Sequence, residues 1–587
     1  MIKISLTVAL LFYAFPSFAV QQPPDDKVVV TANAYPVAFE NLSRTVTVLT
    51  REDIDRLPVR SIADVLTQVS AVDLRTRSPF GLQTDLSIRG SAYSQVLVLV
   101  DGVRINDSQT AHHNSDFPVQ LQDVERIEVL LGPGSSIYGA DAFGGIINII
   151  TRRDLERIRA SVSAGQNGLF EASASTGFAA GNITQRISVT GNRSAGFEYD
   201  REFRTLAISS RTGIGNRSSV FVSHIDKEFG ANGFYGPSPS KEWTDQTLVS
   251  FEHRPGNESI LHGYYRTHSD RFIYDIRSPG MFESRHRTHS AGMLAKTCLQ
   301  SWSDGYVTIG GEAGGDWIRS NTLGRHEFLR ASVFAELQQN LGDDAVVYPG
   351  IRLDYYSSFG TAVNPTLSGS WWVRPRIRLR SSVGRAFRIP TFTELYYRDP
   401  NNEASPTLKP ESSWAADAGA DFVPARNWMA SVTVFARRES NVIDWIRETA
   451  AQKWRSSNLR RLRTAGIEIG LEHSLGETAG FSARYSRISA NAGSVGFISK
   501  YVLDYARDSW SASTYFPIPL SFLYRQTLNY KRRADGRDYC ILDSRLERHI
   551  GRFTASVDFT NLLNSRYQEV SGVNMPGRWF VVTLRTR

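Results

Sequence analysis

The chain has 587 residues, 41% of them apolar and 21% charged, a balance that excludes gross disorder and leaves room for several ordinary domains. A formal net charge of +8 is no nucleic-acid signature here, because Lys and Arg are scattered among apolar residues; an anionic membrane surface is the simpler partner. The two cysteines, Cys298 and Cys540, are too few and too far apart for a disulfide framework or a cysteine zinc site.

In chain order, residues 1–19 read as a secretory signal. Lys3 is the charged start, Val8 to Phe15 the apolar core, and Ser17-Phe18-Ala19 a small-x-small cleavage site. Residues 20–35 are polar and flexible around Val28-Val29-Val30-Thr31-Ala32. That β-prone run can add as a strand to a partner's sheet edge, or serve as the first strand of the next domain.

Residues 36–153 read as an α+β domain. Val48-Leu49-Thr50 is a strand; Ile62, Val65, Leu66 and Val69 recur at helical spacing behind Ser61 as N-cap and Asp64 three residues on. Three short apolar strands come next, at Val96–Val100, Ile127–Leu131 and Ile146–Ile150. Two polar loops interrupt the domain, Thr76 to Thr84 and Arg104 to Asp116. Gly132-x-Gly134 lacks the third glycine of a dinucleotide fingerprint, and Gly139 to Gly144 lacks the Lys of a phosphate loop. These glycines are expected to make tight turns beside strands.

From Asp154 to the end the texture alternates. Ile351, Leu353 and Tyr355 oppose Arg352, Asp354 and Tyr356. Ile377 and Leu379 oppose Arg378 and Arg380. Phe580, Val582 and Leu584 oppose Val581, Thr583 and Arg585. Strands with two unlike sides fit either a layered soluble β-protein or a barrel with lipid outside. The export signal and the abundant aromatics (23 Tyr, 31 Phe, 11 Trp) favour the membrane barrel, with on the order of 20 strands. So wide a barrel needs a filling, and the domain at 36–153 has the size for it. Phe229 to Trp243 reads as a long aromatic loop whose Phe234 and Tyr235 could meet a ligand from above or rest in the lipid interface. Asp399-Pro400-Asn401-Asn402-Glu403 reads as a solvated turn, not a calcium loop.

Taken together, Ile88-Arg89-Gly90, Val98 to Val103, Val124 to Val129, Gly132 to Gly139 and Ala142 to Thr151 resemble the plug of the TonB-dependent outer-membrane receptors. Gly384 to Thr391 with Glu394-Leu395-Tyr396, Leu408 to Ser412, Asn561 to Asn564 and Pro576-Gly577-Arg578 resemble their barrel. The resemblance implies an all-β transmembrane barrel of about 22 antiparallel strands at 154–587, with the α+β plug inside its lumen. It implies active import of a scarce, bulky nutrient across the outer membrane of a Gram-negative-type bacterium. Val28, Val29, Val30, Thr31 and Ala32 become the box that docks TonB and its inner-membrane energising complex. Ser78, Phe80 and Gln83 from one plug loop, and Asp107, Gln109, His112, His113 and Asn114 from the other, become the ligand-facing set. One departure is the C-terminus: many such barrels end in an aromatic residue, whereas this one ends Leu584-Arg585-Thr586-Arg587.

The loop Asn106 to Asn114 and the short plug look closest to cobalamin receptors, making the ligand a corrinoid. A ferric-siderophore receptor, taking a metal chelate, is the alternative, and a passive porin or adhesin a further one. No nucleophile–base–orienter pattern supports an enzyme. No cofactor and no resident metal are expected, since two adjacent histidines rarely converge on an ion without outside ligands. The expected surroundings are outer-membrane lipid and lipopolysaccharide, around a monomer, with no nucleic acid.

Overall fold

A computed structural model describes residues 33–38, 41–155, 158–302, 304–425, 427–476, 478–493 and 496–586. The expected export signal at 1–19 and the box at Val28–Ala32 lie outside the described residues.

The N-terminal domain is built on a five-stranded sheet. In chain order its elements are β1 (Thr45–Thr50), α1 (Arg51–Arg56), α2 (Ile62–Leu66), β2 (Val72–Thr76), β3 (Thr84–Ile88), β4 (Val96–Val100), β5 (Val103–Arg104), β6 (Val124–Leu131), α3 (Ser135–Tyr138) and β7 (Gly145–Thr151). The sheet order is β1-β6-β7-β4-β5, and β2 and β3 form a separate hairpin. β7 and β4 pair in parallel at the centre. Both α1 and α2 start at capping boxes: Thr50 with Asp53, and Ser61 with Asp64. The apolar strand residues are legible as runs because they are buried on both faces. Val96, Val98, Val100, Ile127, Val129, Ile147 and Ile149 form one core with Val65 and Leu66. Each such side chain contributes about 1.5–3 kcal/mol on burial.

Close packing explains the glycines. A Cβ at Gly145 would stand 2.5 Å from the Leu130 carbonyl oxygen, and one at Gly134 would stand 2.4 Å from Ile146. They let strands and turns approach each other, as expected of turn glycines.

Behind this domain the chain forms a closed barrel. Two two-residue strands, Asn402–Glu403 and Ile498–Ser499, belong to loops; the other 22 strands make an antiparallel wall. The wall closes where Trp579–Thr586 pairs with Arg159–Gly165. The alternation has the predicted meaning. Ile351, Leu353 and Tyr355 are 51%, 44% and 54% exposed, whereas Arg352, Asp354 and Tyr356 are 2%, 2% and 4% exposed. The apolar row faces outward, where lipid replaces a second protein layer; the charged row faces the lumen. Cys298 and Cys540 are both free.

The two rims differ. At one, strands are joined by tight turns such as Gly181-Asn182; at the other stand long loops, 389–410 and 561–578 among them. Short turns mark the periplasmic rim of such barrels and long loops the outer rim.

The N-terminal domain fills the lumen and is fixed to the wall by ion pairs. Arg89 meets Glu468 at 2.7 and 2.8 Å and Asp417 at 3.2 Å. It does so from a left-handed backbone (φ 51°), and beside it Gly90 has φ 67°, where an added Cβ would stand 3.0 Å from Ile488. The Ile88-Arg89-Gly90 signature is thus a corner that aims one arginine at the wall. Asp73 takes Lys531 at 3.1 Å and Arg533 at 3.4 Å. In the wall, Arg388 holds Glu411 and Glu394 with both arms of its guanidinium, and Gln95 of the plug donates to Glu411 at 2.9 Å.

Candidate functional site

Both plug loops end beneath the long outer loops. Helix α4 (Phe392–Tyr396), started by a capping box of Thr391 and Glu394, sits in the loop 389–410. Its Phe392 and Thr393 amides donate to the Ser108 and Gln109 carbonyls of the second plug loop, both at 2.9 Å. The first plug loop is tied from above as well: the Thr76 amide donates to Glu569 at 2.6 Å, and Arg201 donates to the Arg77 carbonyl at 2.7 Å.

At the apex three aromatic rings surround one imidazole. His112 stacks on Tyr93 (centroids 4.5 Å apart, planes at 19°). Tyr501 stands edge-on to both, at 5.1 Å from Tyr93 and 5.7 Å from His112, and Tyr235 approaches His112 at 6.5 Å. Beneath, His112 Nδ1 lies 2.6 Å from Asp85, whose other oxygen takes Arg77 at 3.0 Å. Gln83 donates to the Tyr235 hydroxyl. Above, Lys500 lies over Tyr501 at 5.2 Å and over Trp454 at 5.6 Å; Arg447 covers Trp454 at 4.2 Å. These are favourable cation–π geometries.

The two neighbouring histidines have opposite charge tendencies. Burial is the largest influence on His112 and holds it below the usual imidazole range, outweighing the pull of Asp85. Its neutral ring then donates from Nδ1 to Asp85 and leaves Nε2 as an acceptor. For His113 burial also acts downward, but the Asp116 and Asp270 carboxylates, each 3.4 Å from a ring nitrogen, prevail and hold it well above that range. Asp85 and Asp107 are both held below the ordinary carboxylate range: burial, which acts upward, is outweighed by Arg77 and His112 for Asp85, and by His268 and Arg266 for Asp107.

The expected ligand-facing residues divide into three groups. Gln83, His112 and Tyr235 come together at the apex. Phe80 and Phe234 enter an apolar cluster with Leu82, Phe203, Phe229 and Trp579, so they hold a plug loop against the wall; Ser78 is buried beside them in the chain. Asp107, Gln109 and His113 are turned into the plug–wall seam, and Asn114 is buried within its own loop. Asp107 takes Arg266 at 3.0 Å and His268 at 2.8 Å. Gln109 donates to Asp270 at 3.1 Å, and Asn114 accepts from the Asp107 amide at 3.0 Å. Tyr93, Asp85 and Arg77 were missed by sequence reasoning, although they flank the quoted plug motifs. Tyr501 sits in an outer loop with no motif of its own, and nothing local marks it.

On the opposite side of the plug, a cavity of about 1190 Å³ opens at the short-turn rim, lined by Asp53, Arg56, Trp372, Arg376, Trp428 and Arg525 among others. It lies between α1 and the wall, away from the apex.

Residues 39–146 match the family model described as the TonB-dependent Receptor Plug Domain, and residues 147–579 match TonB dependent receptor-like, beta-barrel. The vitamin B12 transporter BtuB of Photobacterium profundum is 26% identical over 520 residues, which cover 82% of this chain and 80% of that protein. The crystal structure of the siderophore receptor PirA from Acinetobacter baumannii superposes with a TM-score of 0.77 at 18% identity, covering 93% of this chain and 98% of that one. PirA from Pseudomonas aeruginosa gives 0.72 at 20% identity, covering 92% and 98%. At such identities the two structures testify to the fold alone.

Proposed function

The chain belongs to the TonB-dependent receptor family, and from that premise we propose that it binds a corrinoid of the cobalamin class at the plug apex and imports it actively. A 22-stranded receptor of this family is characteristic of the Gram-negative outer membrane. The observation that carries the substrate class is the kinship with a vitamin B12 transporter over most of both chains. The apex suits it: Tyr235 and Tyr501 beside a neutral His112, which is backed by the buried Tyr93, offer apolar faces and hydroxyls to a large, amide-edged macrocycle.

The cycle follows from the family. Ligand settles between the outer loops and the plug; the plug rearranges; Val28 to Ala32 is presented on the periplasmic side; TonB adds a strand there and its inner-membrane complex supplies the pull. Main-chain pairing supplies the affinity of such a contact. Val29→Pro removes a donor from it, so cobalamin uptake by cells is expected to be lost while the purified variant still binds ligand. Normal uptake by the proline variant would defeat this mechanism.

A second reading is favoured by Lys500 and Arg447, two cations among the outer-loop aromatics that would suit an anionic ferric chelate. Titrating the purified receptor with cyanocobalamin and with a panel of ferric siderophores separates the two. Saturable cobalamin binding is expected, weakened about fivefold in Tyr501→Ala for the loss of one stacking face, roughly 1 kcal/mol. Absence of affinity for any corrinoid overturns the first reading, and saturation by one ferric chelate establishes the second.

A further inference from the structure

His113 lies at the meeting of two buried clusters on the plug–wall seam. In the first, it faces Asp116 and His268. There the charges are already matched: Lys227 reaches Asp116 at 2.9 Å, Arg266 reaches Asp107 at 3.0 Å, and His268 bridges Asp107 and Asp116 at 2.8 and 3.0 Å. That cluster is a saturated ion-pair network.

The second cluster is different. His113, Glu242 and Asp270 offer ligand atoms that all lie within 4.8 Å of one another. Glu242 comes from the wall strand Lys241–His253, and Asp270 from its neighbour Ser259–Ile273. Glu242 is 2% exposed and its Oε2 has no hydrogen-bond partner; one oxygen of Asp270 is likewise buried and unpartnered. No Lys or Arg forms a salt bridge with either carboxylate among the described residues. His286, on the next strand, stands directly across the ladder from Asp270, is 7% exposed, and has a buried Nδ1 without a partner. Directly paired residues share a face with Cβ atoms about 5 Å apart.

Asp270 has His113 at 3.4 Å and the Gln109 amide at 3.1 Å on one oxygen, but Glu242 is buried with no salt-bridge partner among the described residues, which is costly and calls for a cation. The spacing says which kind. His113 Nε2 and Asp270 Oδ2 are 3.4 Å apart, long for a charge-assisted hydrogen bond, which closes to about 2.7–2.9 Å. It is the edge of a tetrahedron whose centre lies about 2.1 Å from each ligand atom, the bond length of zinc to imidazole nitrogen or carboxylate oxygen. Nitrogen ligands together with carboxylates select a first-row transition metal over calcium or magnesium.

We propose that His113, Glu242 and Asp270 form a transition-metal site of the zinc type that clips the second plug loop to the barrel wall, with His286, on the strand next to Asp270, turning in to complete it on binding. The wall supplies the outside ligands that an adjacent histidine pair lacks, and it supplies them to His113 only, His112 being turned to the apex. The two carboxylates balance the charge of the dication, and His113 gives up its proton on binding. Because all four side chains are enclosed, the ion is a resident part of the seam. The site does not depend on which nutrient occupies the apex.

The test uses the full receptor purified in detergent, stripped with a chelator and titrated with Zn²⁺ against a chromophoric indicator, with Co²⁺ absorption as an independent report of a nitrogen–oxygen tetrahedral site. Wild type is expected to take up one equivalent. Glu242→Gln and His286→Gln, near-isosteric changes, are expected to weaken that binding at least tenfold and to abolish the tetrahedral cobalt bands. Heat-modifiable migration on gels checks that each variant still holds a folded barrel, and cobalamin titration of the same samples reports on the apex separately. If wild type takes up no zinc, or if both variants bind it as wild type does, the site does not exist.

Discussion

At the scale of single residues, function here depends on which way a side chain is turned. His112 and His113 are adjacent, yet one caps the apex as a neutral ring and the other is locked among carboxylates in the seam. Nothing local could have separated them, because the deciding partners, Asp85 for one and Asp270 for the other, come from distant parts of the chain. The same holds for Asp107 and Gln109, which sequence alone offered to the ligand and which meet Arg266 and Asp270 instead. Asp73 allows a pH prediction. Burial acts upward on its carboxyl, but Arg533, Lys531 and Arg75 outweigh it and hold it down to about 2, from an ordinary 3.8. A depressed carboxyl adds stability above its unfolded value and loses it as pH falls through the folded one. Pepsin digestion of the receptor in micelles is therefore expected to show the plug loosening between about pH 4 and about pH 2. In Asp73→Asn that step should flatten, with a loss of about 3 kcal/mol at neutral pH from two buried cations left short of a partner. A variant that keeps the wild-type acid step would show that Asp73 is not the group responsible.

At the scale of elements, most of the fold was legible. Lumen and lipid impose opposite demands on alternate residues of a strand, so the wall wrote a period of two into the chain; the plug strands, enclosed on both faces, wrote continuous apolar runs. The capping boxes at Ser61 and Thr391 are equally local, though only the first was read. What period and caps do not encode is lateral order: β7, last of the plug strands in sequence, lies between β6 and β4. That arrangement rests on Gly145, which sits opposite Leu131 on β6 and Val96 on β4. Gly145→Ala would set a methyl group 2.5 Å from a carbonyl oxygen, forcing β6 and β7 apart. A loss of about 1–3 kcal/mol is expected, as for other overpacked interiors, read as a lower urea midpoint for trypsin cleavage of the plug. Gly256→Ala, where nothing lies within 4 Å of the added atom, serves as the neutral comparison. Equal midpoints for the two would refute the packing account.

At the scale of the whole molecule, the plug and its barrel are joined by charge as well as by apolar packing. Arg89 with Glu468, Asp73 with Lys531, Asp107 with Arg266 and Asp116 with Lys227 all cross the seam. Such contacts lose less than apolar ones when water enters between them, which suits a filling that has to move. They also have an electrical consequence. With the plug absent, the inward rows of arginine and carboxylate become the charged lining of a water-filled conduit, and the plug is then the membrane's insulator. In a planar bilayer under constant voltage the intact receptor is expected to carry no steady current, and a variant lacking residues 36–153 to conduct strongly. A silent plugless barrel would mean that the wall collapses inward by itself. An import cycle that expelled the whole plug would short-circuit the outer membrane each time a molecule passed, so the tolerable movement is one that opens a leak no wider than its passenger.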